Sequence, residues 1–234
     1  MKILYVKNNN DRAKEYQIGT CIYEKDGIKY VEKRALCHEA IPHLMHMITS
    51  YHTLSQSIIS NNFKLAKILK KSEMSITFEY IDGISLEQEF NYLSKDEKII
   101  FIDLFVKQIE ESFKTKIATK PQNNLEIINY FNVSSDKLIT GEKVFDGVSN
   151  IDFIFPNLIK KNDIYYIIDY EWVFDFDLPI EYIKYRLYLY YQLPIQTKII
   201  YKEIEEYFFF NNVTNKKAFY QYSNRYKLKN LGKI

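Results

Sequence analysis

One stretch in the second half of the chain constrains the fold more than any other. It runs from Asn150 to Trp172 and reads NIDFIFPNLIKKNDIYYIIDYEW. Within it, an apolar run from Ile164 to Ile168 ends at Asp169, and a shorter apolar segment precedes that run across a polar turn. Asp152 and Asn157 stand just before the first of these segments. The pattern predicts a β-hairpin with a carboxylate at the end of its second strand.

The polar residues around this hairpin have two interpretations. Asp and Asn are common in turns, where their side chains bond the local backbone, so they could simply cap the hairpin. An Asp that ends an apolar strand, however, is costly unless it is paired or binds a metal. We therefore favour a site in which Asp152, Asn157 and Asp169 act together.

The order Asp-x4-Asn followed by a second Asp resembles the catalytic loop and metal-binding Asp of protein kinases. The ending IIDYEW resembles the Ile-Asp-Tyr/Trp-Glu version of choline kinases and aminoglycoside phosphotransferases. The resemblance implies an α+β, two-lobed protein-kinase-like fold, with a small β-rich N-lobe and a mainly helical C-lobe that carries the catalytic hairpin. It also implies ATP and Mg²⁺, with Asp152 as the base and Asn157 and Asp169 as magnesium ligands.

The remaining elements agree with such a fold. Two β-rich runs, 17–24 and 28–36, are joined by Lys25-Asp26-Gly27, a strong hairpin signal. The other predicted elements are a helix over 39–59, a strand over 76–81, a helix start at Ser85, a helix over 95–115 after Ser94, and helices over 179–192 and 195–210. We place the lobe boundary near Asp82-Gly83, which gives an N-lobe of residues 1–82 and a C-lobe of residues 83–234.

Lys33 is the candidate for the strand lysine that binds nucleotide phosphates. Alternation along its strand puts Val31, Lys33 and Ala35 on one face, and a lysine on that face is explained if the face lines a nucleotide cleft. A solvated lysine on an edge strand is the alternative. Kinases pair this lysine with a helix glutamate, and Glu39 is the only carboxylate between Lys33 and Glu73. An acid in a first helical turn is also explained by the helix dipole alone.

The segment FEYIDG resembles a kinase hinge. That resemblance implies adenine hydrogen bonds from the Glu79 carbonyl and the Ile81 amide, while a buried strand that ends in an Asp-Gly turn is the plain alternative. The glycine-rich phosphate loop of protein kinases is missing, because the first predicted hairpin offers only Gly19 before its turn.

Two further groups of polar residues, a pair of histidines and a pair of aspartates, are explained by structural roles rather than by catalysis. His43 and His46 share a helix face and could hold a metal, but no Cys or carboxylate partner is evident in the sequence. Asp175 and Asp177 follow Asp169 closely, and we expect one or the other to anchor the loop rather than to take part in catalysis.

The acceptor is inferred from a second resemblance. The segments IDYEWVFDFDLPIEYIKYRLYLYY and VEKRALCHEAIPHLMHM resemble kinase-like domains of bacterial polysaccharide clusters. Some of these are joined to methyltransferases, as in an enzyme that caps O-antigen chains with a phosphate. The resemblance implies a sugar hydroxyl of a cell-surface polysaccharide, or of its precursor, as the acceptor. A pseudokinase scaffold for polysaccharide-biosynthesis enzymes is the second hypothesis, favoured by the missing glycine loop and by Asn150, where kinases have His or Tyr.

The composition limits the binding partners and the cellular location that we expect for the protein. A net charge of +2 argues against a general nucleic-acid binder, and two cysteines suggest neither a disulfide framework nor a zinc site. No apolar run approaches the roughly 20 residues that span a bilayer, so we expect a cytoplasmic protein. Residues 212–234 contain six Lys/Arg and no acid. This tail predicts either a solvated end or peripheral contact with an anionic membrane face, where a lipid-linked glycan would lie.

Overall fold

The computed structural model describes residues 1–118, 141–195, 198 and 200–205. The strands are β1 (Lys2–Asn8), β2 (Ile18–Lys25), β3 (Ile28–Ala35), β4 (Phe63–Leu65), β5 (Ile68–Lys71), β6 (Ser75–Glu79), β7 (Ile84–Ser85), β8 (Thr115–Ile117), β9 (Lys143–Phe145), β10 (Ser149–Asn150), β11 (Leu158–Lys161), β12 (Ile164–Ile167) and β13 (Val173–Phe174). The helices are α1 (Ile41–Ser57), α2 (Leu86–Asn91), α3 (Lys95–Ser112) and α4 (Ile180–Tyr190), with short 3-10 turns at Lys14–Tyr16, His38–Ala40 and Phe155–Asn157.

The N-terminal sheet has five antiparallel strands in the order β1-β2-β3-β6-β5. Asp26 and Gly27 both take positive φ angles (54° and 78°) in the turn between β2 and β3, which confirms the predicted hairpin. Strand β1 was not predicted. All of its residues are exposed, so its sequence lacks the alternation of buried and exposed side chains that reveals a strand.

Helix α1 connects this sheet to β4. Pro42 lies in its first turn, where a missing N–H costs little, and Leu44, Met47 and Leu54 are fully buried in the core. The helix thus holds one side of the sheet in place, and its first two turns lie close to the segment that follows β12.

The predicted second hairpin is formed by β11 and β12, which pair antiparallel from Leu158↔Ile167 to Lys161↔Ile164. Strand β4 adds to β12 in parallel, and β7 adds to β11. The sheet order is therefore β4-β12-β11-β7, so a strand from residues 63–65 joins a sheet whose other members follow residue 83. The division at residue 82 stays a prediction.

Helices pack below this second sheet. Ser94 caps α3 and forms a capping box with Glu97, as its sequence indicates. Helix α3 packs against α4. Between them and the sheet lies a core rich in aromatic side chains, among them Phe63, Phe105, Phe113, Phe153 and Phe155.

The predicted α+β class is confirmed. A β-rich N-terminal sheet carries one helix after its third strand, and a helical part with a two-stranded hairpin follows, in the order expected of a kinase-like fold. Among the described residues, no helix is both long and apolar enough to cross a bilayer. The basic tail, 212–234, lies outside the described residues. Of the helix predicted over 195–210, residues 200–205 are helical, and half of the predicted range lies outside the described residues.

Candidate active site

Lys33 and Asp169 form the centre of the site. Lys33 lies on β3 with its side chain only 6% exposed, and its Nζ donates to Oδ1 of Asp169 at 2.6 Å. Asp169 comes two residues after β12 ends, and its Oδ1 also accepts from the Glu171 N–H at 3.3 Å. The contact between the two side chains joins the N-terminal sheet to the predicted catalytic hairpin.

Asn157 lies beside this pair. Its carbonyl accepts from the Ile168 N–H at 3.0 Å, which places it next to the residue that precedes Asp169. Its Nδ2 donates to the Asp152 carbonyl at 3.2 Å. Because the amide nitrogen is used in this way, the side-chain oxygen Oδ1 is the atom that can bind a cation.

The donors present fit magnesium. Asn157 and Asp169 offer one amide oxygen and one carboxylate, the hard oxygen ligands that Mg²⁺ prefers. In the described part of the chain, no group of three or more His, Cys, Asp or Glu side chains is placed to hold a metal. A magnesium ion held by few protein ligands completes its coordination with phosphate oxygens and water, which is its usual arrangement at nucleotides.

Asp152 is buried beside Arg186. The Arg186 Nη1 lies 3.5 Å from the Asp152 carboxylate and donates to the Ile151 carbonyl at 2.6 Å. The Asp152 N–H donates to Oδ1 of Asn150 at 2.9 Å, so Asn150 holds the loop from within. Burial raises the pKa of Asp152 to about 7, against the opposing charge of Arg186. A carboxylate with such a pKa is suited to act as a base near neutral pH.

Helix α4 and the helical segment 200–205 fix the position of Arg186. Its Nε lies 2.7 Å from Oε1 of Glu205, which also accepts from the Tyr182 hydroxyl at 2.8 Å. Arg186 and Glu205 are both nearly inaccessible to solvent. The guanidinium is therefore anchored on one side by Glu205 while it faces Asp152 on the other.

Glu171 is the hub of a second cluster, which the sequence did not predict. It is 3% exposed, forms an ion pair with Arg12, and contacts His43 Nε2 at 2.8 Å. Burial alone would raise the pKa of Glu171. The charges of Arg12 and Lys33, together with the hydrogen bond from His43, hold that pKa well below its usual range. Glu171 is therefore ionised and ties three separate parts of the chain together.

Aromatic rings cover this second cluster. The Trp172 ring lies 4.6 Å from the His43 ring and 5.1 Å from the Tyr16 ring, measured between centroids. The Arg12 guanidinium carbon lies 5.9 Å from the Trp172 ring centre, within cation–π range. The rings shield the Arg12–Glu171 pair from water on one side, which strengthens the pair.

Glu39 is a candidate partner of Lys33, but the structure does not pair the two side chains. Glu39 lies in the 3-10 turn before α1, half-exposed, with its carboxylate 3.6 Å from Lys14. Lys33 instead pairs with Asp169. Glu39 lies just before helix α1, whose first turn reaches the site. The side chain that makes the contact from this helix is His43, which bonds Glu171.

Glu79 ends β6 and Ile81 follows in the segment between the two sheets. The Glu79 N–H donates to the Lys67 carbonyl at 2.9 Å, and its Oε1 accepts from the Lys67 N–H at 2.8 Å. Its side chain lines a cavity of about 470 Å³ together with Tyr51 and Tyr166. None of the residues around this cavity belongs to the Lys33–Asp169 centre, and the adenine contacts of Glu79 and Ile81 stay a prediction.

The structure brings Lys33, Asp152, Asn157 and Asp169 into one region, as expected, but the sequence missed the cations around them. Arg12 was not predicted because it lies in the connection between β1 and β2, and β1 was not recognised as a strand. The i, i+3 pair of histidines serves two partners: His43 contacts Glu171, and His46 Nε2 lies 3.1 Å from the Val173 carbonyl.

Asp177 has the anchoring role expected of it. Its Oδ1 accepts from the Gly147 N–H at 2.9 Å, and its Oδ2 lies 2.9 Å from Lys116. Gly147 has a φ of 76°, a conformation that favours glycine, so the bond holds a tight turn.

No protein-family model matches the chain, and no curated protein matches it. Solved structures of phosphotransferases are similar to it. A gentamicin complex of APH(2")-IIa has 14% identity and a TM-score of 0.45, and covers 88% of this chain and 77% of its own. The ADP-bound aminoglycoside phosphotransferase APH(2'')-Ib has 15% identity and a TM-score of 0.45, with coverage of 89% and 78%. A thermostable mutant of the aminoglycoside phosphotransferase APH(4)-Ia has 10% identity and a TM-score of 0.47, with coverage of 88% and 78%. The likeness to O-antigen-capping kinases stays a prediction.

Proposed function

We propose that the protein is a Mg-ATP-dependent phosphotransferase that acts on an alcohol hydroxyl. The observation that carries the proposal is the 2.6 Å contact between the buried Lys33 on the N-terminal sheet and Asp169 at the end of the hairpin. In the proposal, Lys33 supplies a cation for the phosphates and Asp169, next to it, a carboxylate for the metal. Asp152, which the same hairpin brings close through Asn157, completes the set that phosphoryl transfer needs.

In the transfer, the acceptor hydroxyl oxygen bonds to the γ-phosphorus of ATP. The bond from that phosphorus to the oxygen bridging the β- and γ-phosphates breaks, and ADP leaves with the electron pair. The hydroxyl proton passes to the Asp152 carboxylate, whose raised pKa of about 7 favours its acceptance. Lys33 would neutralise phosphate charge, and magnesium, if held by Asn157 and Asp169, would supply further positive charge at the phosphates.

The acceptor in this proposal is a sugar hydroxyl of a cell-surface polysaccharide or of its precursor. Support comes from the resemblance of the segments around Lys33 and after Asp169 to kinase-like domains of polysaccharide clusters. The protein would act in the cytoplasm, with the basic tail 212–234 in peripheral contact with the anionic inner membrane face.

A pseudokinase scaffold is the second candidate, and one observation favours it. Protein cations already pair with all three carboxylates of the site: Lys33 with Asp169, Arg186 with Asp152, and Arg12 with Glu171. A scaffold could keep these pairs permanently closed. A phosphotransferase must open at least the pair between Lys33 and Asp169 when Mg-ATP binds.

Phosphate transfer from γ-labelled ATP separates the two candidates. The protein is incubated with labelled Mg-ATP and, in turn, with free sugars, lipid-linked glycans, choline and aminoglycosides, and label in the acceptor is measured. We expect transfer to a glycan and its loss in Asp152→Asn. Nucleotide binding without transfer to any acceptor would favour the scaffold. Transfer to choline alone would overturn the glycan acceptor but keep the phosphotransferase.

A further inference from the structure

The connection between β1 and β2 lies over the candidate site. It spans residues 9–17, and the strands pair so that Ile18 faces Ala35 and Thr20 faces Lys33. The connection therefore leaves the sheet at the same end as Lys33. It contains no glycine, so it lacks the residues that let a backbone approach phosphates closely.

Arg12 reaches from this connection to the hairpin side of the site. Its Nη1 is bonded to Oε1 of Glu171, 159 residues further along the chain. The Arg12 side chain is 25% exposed, whereas that of Glu171 is 4% exposed. One side of the guanidinium is thus held by the buried carboxylate, and part of the group remains accessible.

Arg12 lies among charged side chains of both signs. Its guanidinium lies in the field of Glu171, Asp169 and Asp152. Lys33, a second cation at this end of the sheet, pairs with Asp169. A polyphosphate bound at Lys33 would therefore bring its charge close to Arg12, and the planar fork of arginine matches phosphate oxygens in two parallel hydrogen bonds.

We infer that Arg12 binds the terminal phosphate of a nucleoside triphosphate and exchanges Glu171 for that phosphate when the nucleotide enters. The inference rests on the proposed function and deepens it. Arg12 replaces the glycine-rich loop: one side chain provides the hydrogen-bond donors that backbone amides provide elsewhere. The consequence is selectivity, because a diphosphate lacks the group that Arg12 contacts.

The test compares the affinities of Mg-ATP and Mg-ADP by calorimetry. We expect the unmodified protein to bind Mg-ATP more tightly than Mg-ADP. In Arg12→Ala this preference should fall by roughly tenfold or more, the usual effect of a lost hydrogen bond to a charged group, while Mg-ADP affinity changes little. Arg12→Lys should keep an intermediate preference, because it retains the charge but not the fork. Lys14→Ala removes one charge from the same connection, at an exposed site, and should leave the preference unchanged.

A second variant separates phosphate binding from a purely structural role. Glu171→Gln weakens the hold on Arg12 without removing Arg12 itself. If Arg12 binds phosphate, this variant keeps the preference for Mg-ATP. If Arg12 only fixes Glu171, then Glu171→Gln loses the preference as Arg12→Ala does, and the inference is overturned. An unchanged preference in Arg12→Ala also overturns it while leaving the proposed function intact. Absence of Mg-ATP binding by the unmodified protein would overturn both.

Discussion

Lys33 Nζ and Asp169 Oδ1 lie 2.6 Å apart although 136 positions separate them in the chain. Lys33 is buried and Asp169 is about one-quarter exposed, so the pair is open to solvent only from the carboxylate side. A metal ion that approaches Asp169 from that side would displace the ammonium, which would then be released toward the phosphates. In the proposed reaction, the same contact marks the position of the phosphates.

Asp169→Asn tests the metal role. A ligand at about 100 times its Kd stabilises a protein by roughly 2.7 kcal/mol, so Mg-ATP should raise the melting temperature of the unmodified protein. The variant should lose the magnesium-dependent part of this shift, because Asp169 supplies the negative charge of the proposed magnesium site and the amide oxygen of Asn157 is neutral. Thermal unfolding with ATP, with and without magnesium, measures the difference.

Asp163→Asn is the matched control for that change. Asp163 belongs to the same hairpin, its side chain is 96% exposed, and its φ of 60° is one that Asn tolerates. It should keep the full magnesium-dependent shift. A shift retained in Asp169→Asn would contradict the assignment of Asp169 as a metal ligand.

The pH dependence of activity tests the pairing of Asp152 with Arg186. A base must be ionised, so kcat/KM should rise with pH through about 7 and level off above it. Arg186 opposes the rise in the pKa of Asp152, so Arg186→Gln should move this limb to higher pH. Lys184→Gln removes a charge from the same helix at a site paired with Asp103, and should leave the limb in place. If the rise of kcat/KM stays at the same pH in Arg186→Gln, a group other than Asp152 is responsible for it.

The raised pKa of Asp152 also makes the stability of the protein depend on pH. The pKa of Asp152 is higher in the folded protein, about 7, than its ordinary value of 3.8. The protonated carboxyl therefore favours folding: its contribution is complete below about pH 4 and is lost as the pH rises toward 7. Asp152→Asn should remove this part of the pH dependence. Urea unfolding at a series of pH values between 4 and 8 measures the free energy of unfolding. If this free energy changed with pH equally in the variant and the unmodified protein, the raised pKa of Asp152 would be contradicted.

The parts of the fold that the sequence predicted are those with local signals. Asp26-Gly27 specifies a turn by its backbone preferences, and Ser94 with Glu97 starts a helix through hydrogen bonds within four residues. Strand β1 has no such signal, because its position at the sheet edge leaves both faces exposed. The Arg12–Glu171 contact joins residues 159 positions apart, and only the register of the strands brings them together.

Gly83 tests the junction between the two sheets. A Cβ at this position would lie 2.6 Å from the Lys160 carbonyl oxygen and 2.7 Å from Cγ2 of Ile159, so backbone on β11 would have to move. Gly83→Ala should destabilise the protein by about 1–3 kcal/mol, the usual cost of overpacking. Chemical denaturation measures the change. Asp82→Ala, at the neighbouring exposed position, should have a much smaller effect, and equal effects would contradict the close approach at Gly83.

His43 and His46 test whether the cluster around Glu171 holds helix α1 in place. His43 bonds a buried carboxylate at 2.8 Å, whereas the exposed His46 bonds a backbone carbonyl at 3.1 Å. Hydrogen bonds to charged groups contribute about 1.5–3 kcal/mol and neutral ones about 1 kcal/mol. His43→Ala should therefore lower the free energy of unfolding more than His46→Ala. In a double-mutant cycle with Glu171→Gln, His43 should show coupling and His46 none, because only His43 touches Glu171. Additive effects of His43→Ala and Glu171→Gln would mean that the contact contributes nothing to stability.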